Sequence, residues 1–218
     1  MDDQRLEILE REPITLVPYD PSWPLRFAEL EMLMQRSLPT GFWTRIAHIG
    51  STAVPGLSAK PVIDIQVEVT GSDRVRREVV PIMNDLGFEF IWRPTMGEQA
   101  PFYAWFIARN VSGQRSTHVH MVEPDAASED RILFRDFLRD HPQDAQRYAG
   151  LKLDLLEAHA HDRAAFTRGQ DSLHHIHSPP GPTAMNTRLG VDYCCTVARR
   201  RKGWRAISRP IPSCALGN

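Results

Sequence analysis

From Ile63 to Val69 the chain alternates without a break, with Ile63, Ile65, Val67 and Val69 on one parity and Asp64, Gln66 and Glu68 on the other. A period of two marks a β-strand with one apolar face, because successive side chains leave the backbone on opposite sides. Such a strand cannot fold alone. Its apolar parity demands a core, and its polar parity sets three hydrogen-bonding side chains in a row. Thr117 to Val122 repeats the pattern, with His118 and His120 emerging together while Val119 and Met121 point away.

Other elements read around these two strands. Ile14 to Val17 fits a short strand. Pro18 to Pro24 is a turn leading into a helix, with Ser22 as its N-cap and a proline tolerated in the first turn. Phe27, Leu30, Met34 and Leu38 follow at helical spacing. Arg45 to Ile49 is a strand entering a Gly-Ser turn. Val75, Val79, Ile82, Met83 and Leu86 mark a second helix, which Pro81 is expected to kink. Phe88 to Trp92 and Phe102 to Ala108 complete the strands, and helices are expected over Ser128 to Arg139 and Pro142 to His159. The order predicts an α/β or α+β domain, a sheet flanked by helices and covered mainly on one face.

Residues 14–170 form the predicted body, and 171–218 a basic, poorly ordered tail. From Ser172 onward seven Arg or Lys stand against Asp192, a net of +6, so the preceding residues carry −7 within the overall −1. An acidic body argues against nucleic acid as its partner. The tail holds the Ser178-Pro179-Pro180-Gly181-Pro182 breaker, the Arg199 to Lys202 run and all three cysteines, and no apolar period persists through it. No apolar run approaches the roughly 20 residues of a membrane span, and the acidic N-terminus does not resemble a signal peptide. The expected setting is the cytoplasm, with reduced thiols and no membrane partner.

The chemistry concentrates between His48 and Gln66. A strand ends in Gly50-Ser51, and after twelve further residues a second strand presents Asp64. A Gly-Ser turn exposes backbone N–H groups and a small hydroxyl to phosphates without a blocking side chain. A carboxylate on the next strand is a hard oxygen ligand for the accompanying divalent cation.

This segment resembles the signature of the GrpB family, whose fold is similar to the polymerase-beta type nucleotidyltransferases. Val17 to Pro24, His118 to Pro124 and Phe134 to Arg139 match the same family in the same order, so the resemblance spans about Ile14 to Arg168. It implies a nucleotidyltransferase-like mixed sheet. It also implies a site in which Gly50, Ser51, His48 and Lys60 contact substrate and Asp64 holds metal. The superfamily pattern calls for a second carboxylate where Gln66 stands, and a third on a later strand. Glu68 lies roughly 6.6–6.8 Å further along, too far to stand in for Gln66.

His118 and His120 are the candidates to complete the site, as ligands with Asp64 or with one histidine as general base. The Gln66 amide would join them or contact substrate. Imidazole favours Zn²⁺ or Mn²⁺ over Mg²⁺, and the metal is left open among Mg, Mn and Zn. Arg109 and Arg115 flank the histidine strand as possible phosphate clamps. The expected partner is a nucleoside triphosphate or another phosphorylated small molecule. Three functions fit: nucleotidyl transfer to a small-molecule acceptor, a nucleotide-binding module without turnover, and a metal-dependent hydrolase using Asp64, His118 and His120. The family domain also occurs fused to dephospho-CoA kinase, but Gly56 to Lys60 lacks the glycine and the Ser/Thr of a P-loop. Oligomeric state is not legible here.

Overall fold

The structure, a computed structural model, describes residues 2–92, 103–159, 162, 165 and 166. The predicted basic tail lies outside them. Five strands form one mixed sheet in the order β1-β2-β5-β4-β3. They are β1 (Trp43–Ile49), β2 (Ile63–Val69), β3 (Glu89–Trp92), β4 (Tyr103–Arg109) and β5 (Arg115–Val122). The helices are α1 (Asp2–Arg11), α2 (Trp23–Ser37), α3 (Ser72–Arg74), α4 (Val80–Asp85), α5 (Ala126–Asp140) and α6 (Pro142–Ala158). Strand β2 pairs antiparallel with β1 and parallel with β5, and the remaining pairs are antiparallel.

The apolar parity of β2 explains the larger core. Ile63, Ile65, Val67 and Val69 are fully buried and pack with Phe106, Val119 and Met121 beneath Trp23 and Met34 of α2 and Met83 of α4. At roughly 1.5–3 kcal/mol per buried branched side chain, this row is a dominant favourable contribution. The opposite face is covered as well, which departs from the expectation of one principal face. Helix α1 sets Leu9 on Ile91, Trp105 and Ile107, while α5 sets Ile132 on Ala47 and Ile49. Polar side chains of β2 and β5 lie on the same face as these two patches.

Local chemistry accounts for several helix boundaries. Helix α2 begins after Ser22 with Pro24 in its first turn, yet the Ser22 side chain caps nothing. Asp20 instead shapes the turn before the helix, accepting the Ser22 backbone N–H at 2.8 Å. The predicted Pro81 kink takes the form of a π-helical turn, Val75–Val79, so that Pro81 falls in the first turn of α4, where its missing N–H costs least. Helix α5 starts two residues before Ser128 because Asp125 caps it. The Asp125 carboxylate accepts the Ser128 N–H at 2.7 Å, and Ser128 Oγ accepts the Asp125 N–H at 3.0 Å. Ile14 to Val17 forms no strand; Val17 makes a single bridge to Ala59.

Helix α1 precedes the predicted body and is held by charge as well as by Leu9. Glu12 accepts from Arg109 at 2.7 Å and from Arg115 at 2.6 Å, Arg115 also reaches the Leu9 carbonyl, and Arg5 pairs with Glu89. The two arginines considered as phosphate clamps are thus engaged with the end of α1.

Truncating the centre of the apolar row tests this account. Ile65→Ala is expected to lower unfolding free energy by about 2–5 kcal/mol, read as a lower urea midpoint at unchanged slope.

Candidate functional site

The parallel ladder of β2 and β5 places Asp64 opposite His118 and Gln66 opposite His120. Because the pairs are in register, the polar parities of both strands share one face. His118 Nδ1 lies 3.0 Å and His120 Nε2 3.3 Å from Asp64 Oδ1. One ligating atom from each residue lies within 4.8 Å of the others, the spacing of a metal-holding group. Burial by itself would raise the Asp64 carboxyl. The hydrogen bonds and charges of His118 and His120 outweigh it and hold the group below the usual carboxylate range.

Trp105, from the neighbouring strand β4, builds the wall behind the histidines. Its ring meets His118 edge-on at 5.0 Å and lies nearly parallel to His120 at 6.5 Å, with the Arg115 guanidinium 5.5 Å from its centre. The sequence reading passed over it, although its parity in β4 places it beside the histidines. Gly50 forms the other side. A Cβ there would fall 2.8 Å from Asp64 Oδ2, and the backbone has φ +72°, which glycine alone adopts readily.

Gln66 and Glu68 share the parity of Asp64 but serve other contacts. The fully buried Gln66 amide donates to Glu68 and to the Ser128 carbonyl, and accepts from Arg131 at 3.1 Å. Glu68 pairs with Arg45, which also binds Glu129 at 2.7 Å. These two positions therefore anchor the start of α5. Ser51 sits at the turn as expected, and its hydroxyl accepts from Lys152 Nζ at 3.1 Å. Lys152 also donates to the Ser58 carbonyl, and burial pushes its ammonium down to about 7. Its place on the buried stripe of α6 gave no sign of this role in clamping the turn. Lys60 lies 4.3 Å from the Phe166 ring centre.

His48 has the parity of Ile46 and faces away from Asp64. It is buried, stacks on Phe27 at 4.7 Å, and its Nε2 lies 3.0 Å from Thr52 Oγ1, which donates to the Val62 carbonyl. Burial, with Arg139 and Arg135 adding to it against the opposing pull of Asp64, lowers the imidazole to about 4. No described helix is long and apolar enough to cross a membrane.

Comparisons with known proteins place the chain in one family. The family described as GrpB protein matches residues 13–177. A UPF0157 protein of Pseudomonas aeruginosa is 39% identical over 173 residues, covering 79% of this chain and 69% of its own. A dephospho-CoA kinase of Mycobacterium bovis is 31% identical over 167 residues, which cover 67% of this chain and 40% of the kinase. Among solved structures, the conserved protein GrpB from Enterococcus faecalis superposes with a TM-score of 0.59 at 27% identity, covering 74% of this chain and 98% of that one.

The depressed His48 imidazole makes stability pH-dependent. Between its folded value of about 4 and the unfolded value of roughly 6.5, the unfolded chain binds more protons. The contribution is therefore complete above the unfolded value and is lost as pH falls toward the folded one, on the order of 3 kcal/mol in all. Denaturant titrations at several pH values should show this loss, and His48→Gln should flatten the profile over that window.

Proposed function

The chain belongs to the GrpB family, and from that membership we propose a metal-dependent nucleotidyltransferase that moves a nucleotidyl group from a nucleoside triphosphate to a small-molecule hydroxyl. The convergence of Asp64, His118 and His120 on one point of the sheet carries the proposal. A pair of magnesium ions does not fit these residues, since Gln66 and Glu68 are committed to α5. One divalent ion of the Zn²⁺ or Mn²⁺ kind does fit two imidazoles and a carboxylate. When bound, such an ion neutralises phosphate oxygens and makes a bound hydroxyl more acidic.

The protein's own residues do the rest of the work. Asp64 offers one oxygen to both rings and turns the other toward Gly50, where the missing Cβ leaves room. Trp105 fixes the ring planes of both histidines from behind. Lys152 holds Ser51 and the loop to Ser58, keeping the turn seated for phosphate contact.

A second reading, hydrolysis with water as acceptor, is favoured by the same imidazole-rich donor set. Loss of turnover with retained nucleotide binding is favoured by the commitment of Gln66.

Ligand and activity measurements separate these readings. A triphosphate with Mn²⁺ or Zn²⁺ at about 100 times its dissociation constant should add roughly 2.7 kcal/mol, or about 5–10 °C in Tm for a chain of this size. Asp64→Ala should keep the fold and lose the shift. Pyrophosphate release that requires the acceptor marks transfer, nucleoside monophosphate with pyrophosphate or orthophosphate released without acceptor marks hydrolysis, and binding alone marks the module. A flat response to all four triphosphates with Mg²⁺, Mn²⁺ and Zn²⁺ would overturn the proposal.

A further inference from the structure

A concavity lies at the β1 edge of the sheet, with a volume of about 480 Å³. Small-molecule pockets commonly fall between about 300 and 1,000 Å³. Its walls are Tyr19 and Phe27 on one side and Ile132 on the other, with His48, Arg135 and Arg139 bordering it. These residues come from three separate stretches singled out in the sequence or adjoining them: the Tyr19 turn with the helix after it, the end of β1, and the Phe134 to Arg139 segment of α5. None belongs to the Asp64 centre.

Two arginines of α5 border this pocket with their guanidinium groups held by backbone carbonyls. Arg135 binds Asp136 through two nitrogens, at 2.7 and 3.0 Å, and gives Nη1 to the His48 carbonyl at 2.8 Å. Arg139 gives Nε to the Ala53 carbonyl at 2.8 Å, and its Nη1 is 3.5 Å from the same Asp136. Both guanidinium groups thus address Asp136, and the Asp140 carboxylate also acts on Arg139. Among the described residues, Arg139 Nη2 has no hydrogen-bond partner. Arg45, also on the rim, is offset by Glu68 and Glu129. His48 is held neutral by its surroundings and adds no charge near pH 7. The backbone carbonyls of His48 and Ala53 fix both guanidinium forks in place at the border of the pocket. Fixed guanidinium forks match the paired oxygens of phosphate and carboxylate. The Phe27–His48 stack and Tyr19 offer flat surfaces to the body of a ligand.

We propose that this pocket binds a small organic anion, a phosphomonoester or carboxylate on a compact planar body, with Arg139 and Arg135 at the anionic end. The assignment does not depend on metal or nucleotide chemistry at Asp64.

Phenyl phosphate and benzoate serve as probes, with phenol as the neutral control, titrated into the full metal-free chain and followed by amide chemical shifts. Saturable binding in the millimolar range or tighter is expected for at least one anion and not for phenol. The shifts should centre on Tyr19, Phe27, Ala53 and Ile132. The stronger of the two anions identifies the phosphate or carboxylate class. Arg139→Gln should weaken binding by about tenfold or more, Arg139→Lys by less, and Asp64→Ala should leave it unchanged. The mapping on the unaltered chain stands even if an arginine variant fails to fold. Equal binding of phenol, shifts centred on His118 and His120 or on Arg199 to Lys202, or no saturation by either anion would each overturn the proposal.

Discussion

The parallel ladder between β2 and β5 holds together both halves of the molecule's behaviour. Its register pairs Asp64 with His118 and Gln66 with His120. The same register turns Ile65, Val67, Val119 and Met121 into the main core. A slip of one residue would send every side chain of a strand to the other face. It would expose the apolar row and bury the carboxylate among methyl groups. Core and candidate metal centre are therefore enforced by one constraint, and neither can be retuned by moving a strand. Antiparallel neighbours on both sides, β1 and β4, then bring Gly50 and Trp105 to the carboxylate and the rings.

Polar residues on the second face divide into two kinds. Asp64, His118 and His120 address one another and retain some access to solvent. Gln66 and Glu68 are sealed beneath α5, where a buried polar group must be satisfied to be tolerated. Their partners, Ser128, Arg131 and Arg45, supply that satisfaction. The position where the nucleotidyltransferase pattern calls for a second carboxylate has thus become part of the mechanical attachment of a helix. That exchange is what the proposed single ion of the imidazole-preferring kind rests on.

Much of this was legible in the sequence, because alternation is a local property. The β2 and β5 parities follow from counting by twos, while the Asp64–His118–His120 grouping and the glycine at the turn came from the family resemblance and needed the two strands to be neighbours, as they are. What was not legible depends on partners far along the chain. Lys152 looks like an interruption of an apolar stripe until α6 is seen to pass the Ser51 to Ser58 loop. Arg109 and Arg115 look like free cations until α1 delivers Glu12. His48 was grouped with the turn by proximity in sequence, although the parity of β1 sets it on the Phe27 side. The helix starts were blurred for a related reason: the Ser22 side chain caps nothing at α2, and α5 begins at a reciprocal Asp125–Ser128 capping box that lies ahead of its apolar residues.

Among the described residues, helix α1 meets the candidate centre through the Trp105 indole. Leu9 lies against Trp105, and the Glu12 clasp on Arg115 holds the helix down beside it. Regions held by a few contacts open more readily than a central sheet. The chain has five tryptophans, so the share of emission that a Trp105→Phe variant loses is the internal gauge: a change in its colour at constant far-ultraviolet ellipticity would register the first dozen residues lifting from the sheet.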